Sequence, residues 1–479
     1  MAVRRSGGIS RMAMKAMGLF GGVQALGIVC SIVRTKLVAL WIGPVGVGLF
    51  GLMNNALEML NTATNLGVRQ SSVRDISQAL EAQDRSLVSQ IIAVVRRWSV
   101  WLGLGGALVT VALAPLLSQL TFGDDDHVWS FVALSVAVLL MAVTNGEQAV
   151  LQGTARLRRL AQVTLWGNVC GLAVSVPLFY WLREASILPS ILAYAIALAV
   201  WAIVLRNKDY LRARVSSRET VTMGARFVRL GIYMTMGSFA AIVASYAFNA
   251  WLNHQGGTAQ VGLYQAGYTL INKYTGLILA ALGMEYYPRL ARVAHSPMRL
   301  RAFVSQEVNI AMVVMAPVVA LFIVLRQPIV WILYSSEFEA ILTFVAWGMI
   351  GCVWRTLSWC LAFVILARGD GKTYLATEVT SALVGLALNI GCYLQWGITG
   401  LGIAFLAWYV FYTLMVWAVY RWRYHLRLVP GSVAGALWTL VVAGTAMVAV
   451  ERDWWVVATV VSVVSVAVSA VLLRRLWRR

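Results

Sequence analysis

Apolar stretches about twenty residues long alternate with short polar loops from one end of this chain to the other, and the basic residues crowd into every second loop. A helix crosses a bilayer core of about 30 Å in roughly 20 residues. Fourteen spans fit, at 13–34, 40–66, 98–121, 129–151, 161–182, 187–205, 231–253, 261–287, 303–325, 341–367, 374–395, 398–420, 432–450 and 455–473. Basic clusters then fall at 4–15, 69–97, 156–159, 206–229, 289–301, 368–372, 421–427 and 474–479, which puts 32 of the 39 Lys and Arg on one side. That bias orients a multi-pass protein with its basic loops inside. The expectation is an all-α, polytopic inner-membrane protein with both termini cytoplasmic.

Composition agrees. With 60% hydrophobic and 12% charged residues, the chain has too little polar surface for a water-soluble globule. The net charge of +20 is spread over loops between apolar spans, where it orients helices and meets anionic membrane lipids, so no nucleic-acid partner is expected. The five cysteines (Cys30, Cys170, Cys352, Cys360, Cys392) lie in or near apolar spans without paired spacing and read as small buried hydrophobes. The basic, then apolar, start lacks a small-residue cleavage site, so the first span is expected to be retained.

The longest basic connection, 206–230, falls where a six-plus-six division places its linker. The expected organisation is a six-helix lobe at 1–205, a linker at 206–230, a second six-helix lobe at 231–427, and two further helices with a basic tail at 428–479. A shift of 214 residues sets Val47, Gly48, Leu49 and Phe50 on Val261, Gly262, Leu263 and Tyr264, with Gly43 on Gly257. Both segments open an even-numbered span and run in the same direction. The lobes are therefore expected to be related by a parallel pseudo-two-fold repeat around a central cavity.

Span 2 carries Asn54, Asn55, Glu58, Asn61, Thr62 and Asn65 at helical spacing, one polar stripe along the helix. The same shift brings Gln265, Tyr268, Thr269, Asn272 and Thr275 of span 8 onto it. Lipid penalises such a face, so a protein-lined or water-filled cavity is expected, with interhelical hydrogen bonding as the alternative. Seven cations stand outside the basic loops. Arg183, Arg326 and Arg452 read as headgroup contacts at outer helix ends, whereas Arg34, Lys36, Lys273 and Arg355 lie at or within spans. These four suit an anionic cargo such as phosphate or pyrophosphate. Among acids, Glu58, Glu147, Glu285 and Glu378 are candidates for proton or sodium coupling or for a gate, and structural pairing competes with that role.

Other patterns fail on context. Gly46, Gly48 and Gly51 match a dinucleotide-binding spacing but sit inside an apolar span with no βαβ unit. Asp124, Asp125 and Asp126 form an acidic outer turn, and His127, His254, His295 and His425 fall in four separate loops. No metal, cofactor or catalytic constellation results, and a non-enzymatic protein is expected.

Several segments together resemble the bacterial polysaccharide flippases. The run from Lys36 through Gly43, Pro44 and Gly46 to Leu49 resembles the junction of their helices 1 and 2. Val261 to Ala266, followed by Tyr287 to Leu290, resembles helix 8, and Gly397 to Ala404 resembles the start of helix 12. Phe338, Ala346, Trp347, Arg355 and Trp359, then Ala367, Arg368, Gly369 and Glu378, are similar to helices 10 and 11 of the O-antigen and enterobacterial-common-antigen translocases. The resemblance places the chain in the multidrug/oligosaccharidyl-lipid/polysaccharide exporter superfamily. It implies alternating access and outward flipping of an undecaprenyl-pyrophosphate-linked glycan, with polysaccharide polymerase machinery as a further partner. Cys352 stands where those translocases often carry an acid three residues before the helix-10 cation, so a coupling role for that acid does not transfer. Alternatives are a peptidoglycan lipid-precursor flippase and a cation-coupled drug antiporter, whose cavity should be acidic. A membrane polymerase or ligase needs a large outer loop, which this chain lacks.

Overall fold

A bilayer offers backbone N–H and C=O groups no partners, so a chain this apolar has to satisfy them within helices. A computed structural model describes residues 22–23, 26–65, 67–210, 215–294, 296–427 and 429–477, without the side chains of 70, 217, 226–234, 284, 288 and 475–477. Gln24, His295, most of the first half of span 1 and the basic residues Arg4, Arg5, Arg11, Lys15, Arg212, Arg214, Arg478 and Arg479 lie outside the described residues. Helix α1 covers 26–41. It is followed by α2 (Gly43–Asn65), α3 (Val68–Glu81), α4 (Arg85–Phe122), α5 (Val128–Gly153), α6 (Leu157–Leu182) and α7 (Ile187–Val204). Then come α8 (Ser217–Val293), α9 (Pro297–Val324), α10 (Arg326–Leu333), α11 (Leu342–Ala367), α12 (Gly371–Ala418), α13 (Pro430–Glu451) and α14 (Trp455–Trp477). Among the described residues there is no strand.

Among the described residues, eight helical stretches are long and apolar enough to cross a membrane: Arg85–Phe122, Val128–Gly153, Leu157–Val204, Pro297–Val324, Ser336–Ala367, Gly371–Arg423, Pro430–Glu451 and Trp455–Arg474. Leu157–Val204 holds two helices, α6 and α7, joined by a 3₁₀ turn at Arg183–Ser186 and packed on each other. Gly371–Arg423 is broken at Gly397. At 1.5 Å per residue even the 18-residue α7 reaches about 27 Å. The chain is a multi-pass, all-α membrane protein. Helix α2 and the part of α8 from Val261 on fall outside the eight, and both carry polar stripes that lower their hydropathy.

The chain divides into two compact units, Met1–Val261 and Gly262–Arg479. In the first, α4 packs on α5, α5 on α7, and α2 on α4. Gly146 lets α4 and α5 approach closely, since a Cβ there would stand 2.2 Å from Ser99 Oγ. In the second, α11 packs on α12 and on α9, while α13 and α14 pack against α9. Ser432 Oγ donates to the Ser305 carbonyl at 3.0 Å, and Thr439 Oγ1 donates to that of Met312 at 3.3 Å, which fixes α13 along α9.

Helices extend beyond the apolar spans that hydropathy marks. Helix α4 starts thirteen residues before the expected span 3, and α8 starts inside the expected linker at Ser217. Helix α3 is too polar to span, yet its Ile76 and Ala79 join Val88, Ile91, Ile92, Val94, Val95, Val150 and Val215 in one buried cluster. The linker is held to α4 as well. Arg97 Nη1 donates to the Val215 carbonyl at 2.6 Å, and Trp98 Nε1 to that of Thr220 at 2.8 Å. The repeat appears in local backbone geometry. Gly43 and Gly257, matched by the 214-residue shift, have φ of 79° and 77° where their helices begin or break. Only glycine adopts such angles without strain.

Candidate functional site

Each unit holds one arginine at membrane depth by means other than a carboxylate. In the first, the Arg34 guanidinium lies 4.9 Å from the Phe50 ring centroid and 5.2 Å from that of Tyr194. Phe50 is one turn above Asn54 on α2, so the cation sits at the head of the polar stripe. Tyr194 is oriented in turn, its hydroxyl donating to Asn168 Oδ1 at 3.0 Å. Arg34 Nε is buried and has no hydrogen-bond partner among the described residues.

In the second unit, Arg355 Nη1 donates to the Asn272 carbonyl and to Thr275 Oγ1, both at 3.0 Å, and its guanidinium lies 5.8 Å from the Tyr409 ring centroid. Tyr409 belongs to an aromatic group with Trp408, Phe405 and Tyr268. Among the described residues neither arginine forms an ion pair with a carboxylate. Lys36 is half-buried on α1 and Lys273 is exposed on α8; each has contacts of its own.

The stripe on α2 is divided. Asn54 and Asn55 donate to the carbonyls of Phe50 and Gly51, each at 2.8 Å, within their own helix. Lower down, Asn61 Oδ1 accepts from Asn65 and from Asn145 Nδ2 of α5, and Arg69 Nη1 donates to Asn145 Oδ1 at 3.5 Å. This end of the stripe ties helices together. Glu58, between the two parts, is exposed and forms no ion pair among the described residues. On α8, the Asn272 carbonyl and Thr275 Oγ1 accept from Arg355 of α11, and Gln265 and Tyr268 are half-buried.

The other candidate acids are engaged. Glu147 receives Arg96 Nε at 2.7 Å and Nη2 at 2.9 Å, with its side chain only 7% exposed. Glu285 pairs with Arg289 one turn on, and Glu378 Oε1 accepts from the Tyr412 hydroxyl at 2.6 Å. The acidic turn is a closed local structure: Asp124 Oδ1 meets His127 Nδ1 at 3.0 Å, and that hydrogen bond holds the Asp124 carboxyl below the usual range. Among the described residues no cluster could hold a metal ion.

Sequence reasoning singled out both arginines, Glu58 and the stripes as candidates. It missed Tyr194, Asn168, Tyr409 and Tyr412, which orient or face the charged groups. Their one available signal was position: Tyr194 is the sole tyrosine of a span otherwise almost wholly apolar, and Tyr409 and Tyr412 lie three apart on one face.

Known proteins share this arrangement of helices. A family model described as polysaccharide biosynthesis protein matches residues 37–343. The lipid III flippase of Escherichia coli (strain K12) is 24% identical over 401 residues, covering 81% of this chain and 93% of the relative, and that of Shigella flexneri matches equally. Among solved structures, the lipid II flippase MurJ in an inward closed conformation superposes with a TM-score of 0.71 at 10% identity, over 96% of this chain and 100% of that one. An inward-facing multidrug resistance MATE family transporter of the MOP superfamily gives 0.67 at 12% identity, over 82% and 93%. The family match covers well over half of the chain and includes α2 with its stripe and the Gly43 turn, so the chain belongs to the polysaccharide biosynthesis protein family.

Proposed function

We propose that this protein is a flippase carrying undecaprenyl-pyrophosphate-linked oligosaccharide repeat units from the inner to the outer leaflet of the bacterial inner membrane by alternating access. The observation that carries the reading is the state of Arg34 and Arg355. Taking a cation out of water costs several kcal/mol, and an aromatic face returns only about 0.5–2 kcal/mol. Neither residue is neutralised by a carboxylate, so each keeps a charge that an anionic cargo would satisfy. Pyrophosphate fits, because a guanidinium fork can grip two of its oxygens. The prenyl tail stays in lipid while the headgroup passes polar side chains that each helix offers, Asn54 and Asn55 on α2 and Gln265 and Tyr268 on α8. Lys36 and Lys273 add attraction. Both termini and the basic loops face the cytoplasm in this reading, polymerase machinery receives the product outside, and no covalent chemistry is involved. Glu58 is the acid we assign to ion coupling, since Glu147, Glu285 and Glu378 already have partners.

The test is glycan display in a deletion strain complemented with wild type, Arg34→Ala, Lys273→Ala or Arg355→Ala, with membrane levels measured in parallel. Lost display at normal protein level, with lipid-linked intermediate retained inside, is expected. Full display by all three variants would refute electrostatic cargo handling. The likeness in fold to the lipid II flippase, over 96% of this chain and the whole of that one, favours one second reading, a peptidoglycan-precursor flippase. Rescue of a strain depleted of its own precursor flippase would select it.

A further inference from the structure

The turn between α11 and α12 and the end of α12 gather cations that the flipping cycle above does not use. Arg368 caps the C-terminus of α11, and its guanidinium lies 4.5 Å from the Tyr424 ring centroid. Its Nε is buried and makes no hydrogen bond among the described residues. Tyr420 lies in the π-helical turn Val419–Arg423 that closes α12, a geometry often found at functional sites. The residue is 1% exposed, and its hydroxyl is also buried without a partner. The charges that act on this hydroxyl are Arg301, exposed near the start of α9, and Arg368.

The carboxylate of this turn is committed elsewhere. Asp370 Oδ2 accepts from Arg423 Nε at 2.7 Å, from Thr373 Oγ1 at 2.8 Å and from the Tyr424 hydroxyl at 3.1 Å. Glu307, further along α9, is buried and feels the like charge of Glu285. A cation at a helix C-terminus offsets the helix dipole, which accounts for the charge of Arg368 but leaves the Tyr420 hydroxyl without an acceptor. Buried donors lacking acceptors cost free energy that a bound anion would return.

We propose that Arg301, Arg368 and Tyr420 form a binding site for a phosphate group at the basic end of the second unit, separate from the membrane-depth arginines. Arg301 attracts the anion from the surface, and Arg368 Nε and the Tyr420 hydroxyl each donate to a phosphate oxygen. The phosphate is carried by an anionic phospholipid headgroup or is free in solution, and the site does not depend on the identity of the flipped cargo.

The full chain in phosphatidylcholine nanodiscs is titrated in two arms, with radiolabelled inorganic phosphate and with short-chain phosphatidylglycerol followed by native mass spectrometry. Saturable binding of a single equivalent is expected. Saturation by inorganic phosphate identifies a free-phosphate site, and saturation by the lipid alone identifies a headgroup site. Arg368→Ala and Tyr420→Phe should each weaken binding about tenfold, the loss of one charge-assisted hydrogen bond. Arg183→Ala, a cation at another helix end, should leave it unchanged. Tyr420→Phe removes only a partnerless hydroxyl, so its melting temperature should not fall, and it decides the matter where Arg368→Ala folds poorly. Absence of saturable binding in both arms, or binding by Tyr420→Phe within twofold of wild type, would overturn the site.

Discussion

Glu147→Leu separates two roles that an acid inside a membrane protein can have. Both carboxylate oxygens are taken by Arg96, at 2.7 and 2.9 Å, and the side chains are 7% and 18% exposed. Arg96 Nη2 also donates to the Asn207 carbonyl at 3.0 Å, so the pair ties α4 and α5 to the segment that follows α7. Removing one partner of such a pair strands the other charge, at a cost of about 3–5 kcal/mol. Glu147→Leu and Arg96→Met should each lose that much. The double variant strands no charge. Its remaining cost is the orphaned Asn207 carbonyl, about 1–3 kcal/mol, so it should be more stable than either single variant, with a coupling energy of several kcal/mol. Thermal unfolding of the purified full chain in detergent reads the stabilities, and glycan display reads function. A structural role predicts that display returns with stability in the double variant. A double variant that melts near wild type but never restores display would refute this reasoning and make Glu147 a carrier of the coupling ion.

Further outcomes follow from local geometry. Gly257→Ala should cost about 1–3 kcal/mol, because φ is 77° and ψ 172° there while a Cβ would meet nothing within 4 Å; an unchanged melting temperature would refute the strain argument. Tyr286→Phe breaks the hydrogen bond to the Cys360 carbonyl at 2.8 Å but keeps the packing on Phe303, Trp359 and Phe363, so a loss of about 1 kcal/mol in the same melting assay is expected. Asp370 is partly buried, which opposes ionisation, but hydrogen bonds from Arg423, Thr373 and Tyr424 outweigh this and bring its carboxyl to about 2. A depressed carboxyl stabilises the fold above its unfolded value near 4 and loses that contribution as pH falls through the folded value. Asp370→Asn should therefore melt lower at pH 7, by about 1 kcal/mol for a weakened helix cap and ion pair, and the gap to wild type should narrow below pH 4.

The spans were legible because lipid imposes a long apolar window on any helix that faces it, and 40–66 and 261–287 read as spans in spite of their polar stripes. Helix α3 was not, since a short helix with one buried face carries no lipid-length window, and Ile76 and Ala79 find their neighbours only after α4 and α5 have packed. Charge patterning has a matching blind spot. Counting Arg96 and Arg97 as loop cations oriented the chain, yet on α4 the first neutralises Glu147 and the second fastens the linker. Arg34 and Arg355 stood out as charges near or inside apolar spans. Their platforms, Tyr194 and Tyr409, lie far away in sequence and follow no period that would link them to a cation.

That difference in partners bears on how a cargo is released. A carboxylate facing Arg34 or Arg355 would cancel the charge, and an arriving anion would have to displace it. A ring face or a backbone carbonyl stabilises the cation and leaves its field in place. The hold is also incomplete: Arg34 Nε still lacks an acceptor, and Arg355 spends Nη1 on neutral groups. In the proposed cycle such a site would attract a phosphate without gripping it as a cluster of ion pairs would. Carriage across a membrane needs that balance, because each interaction gained on loading is lost again on release. It also accounts for the distribution of acids, with Glu147, Glu285 and Glu378 bound to partners of their own.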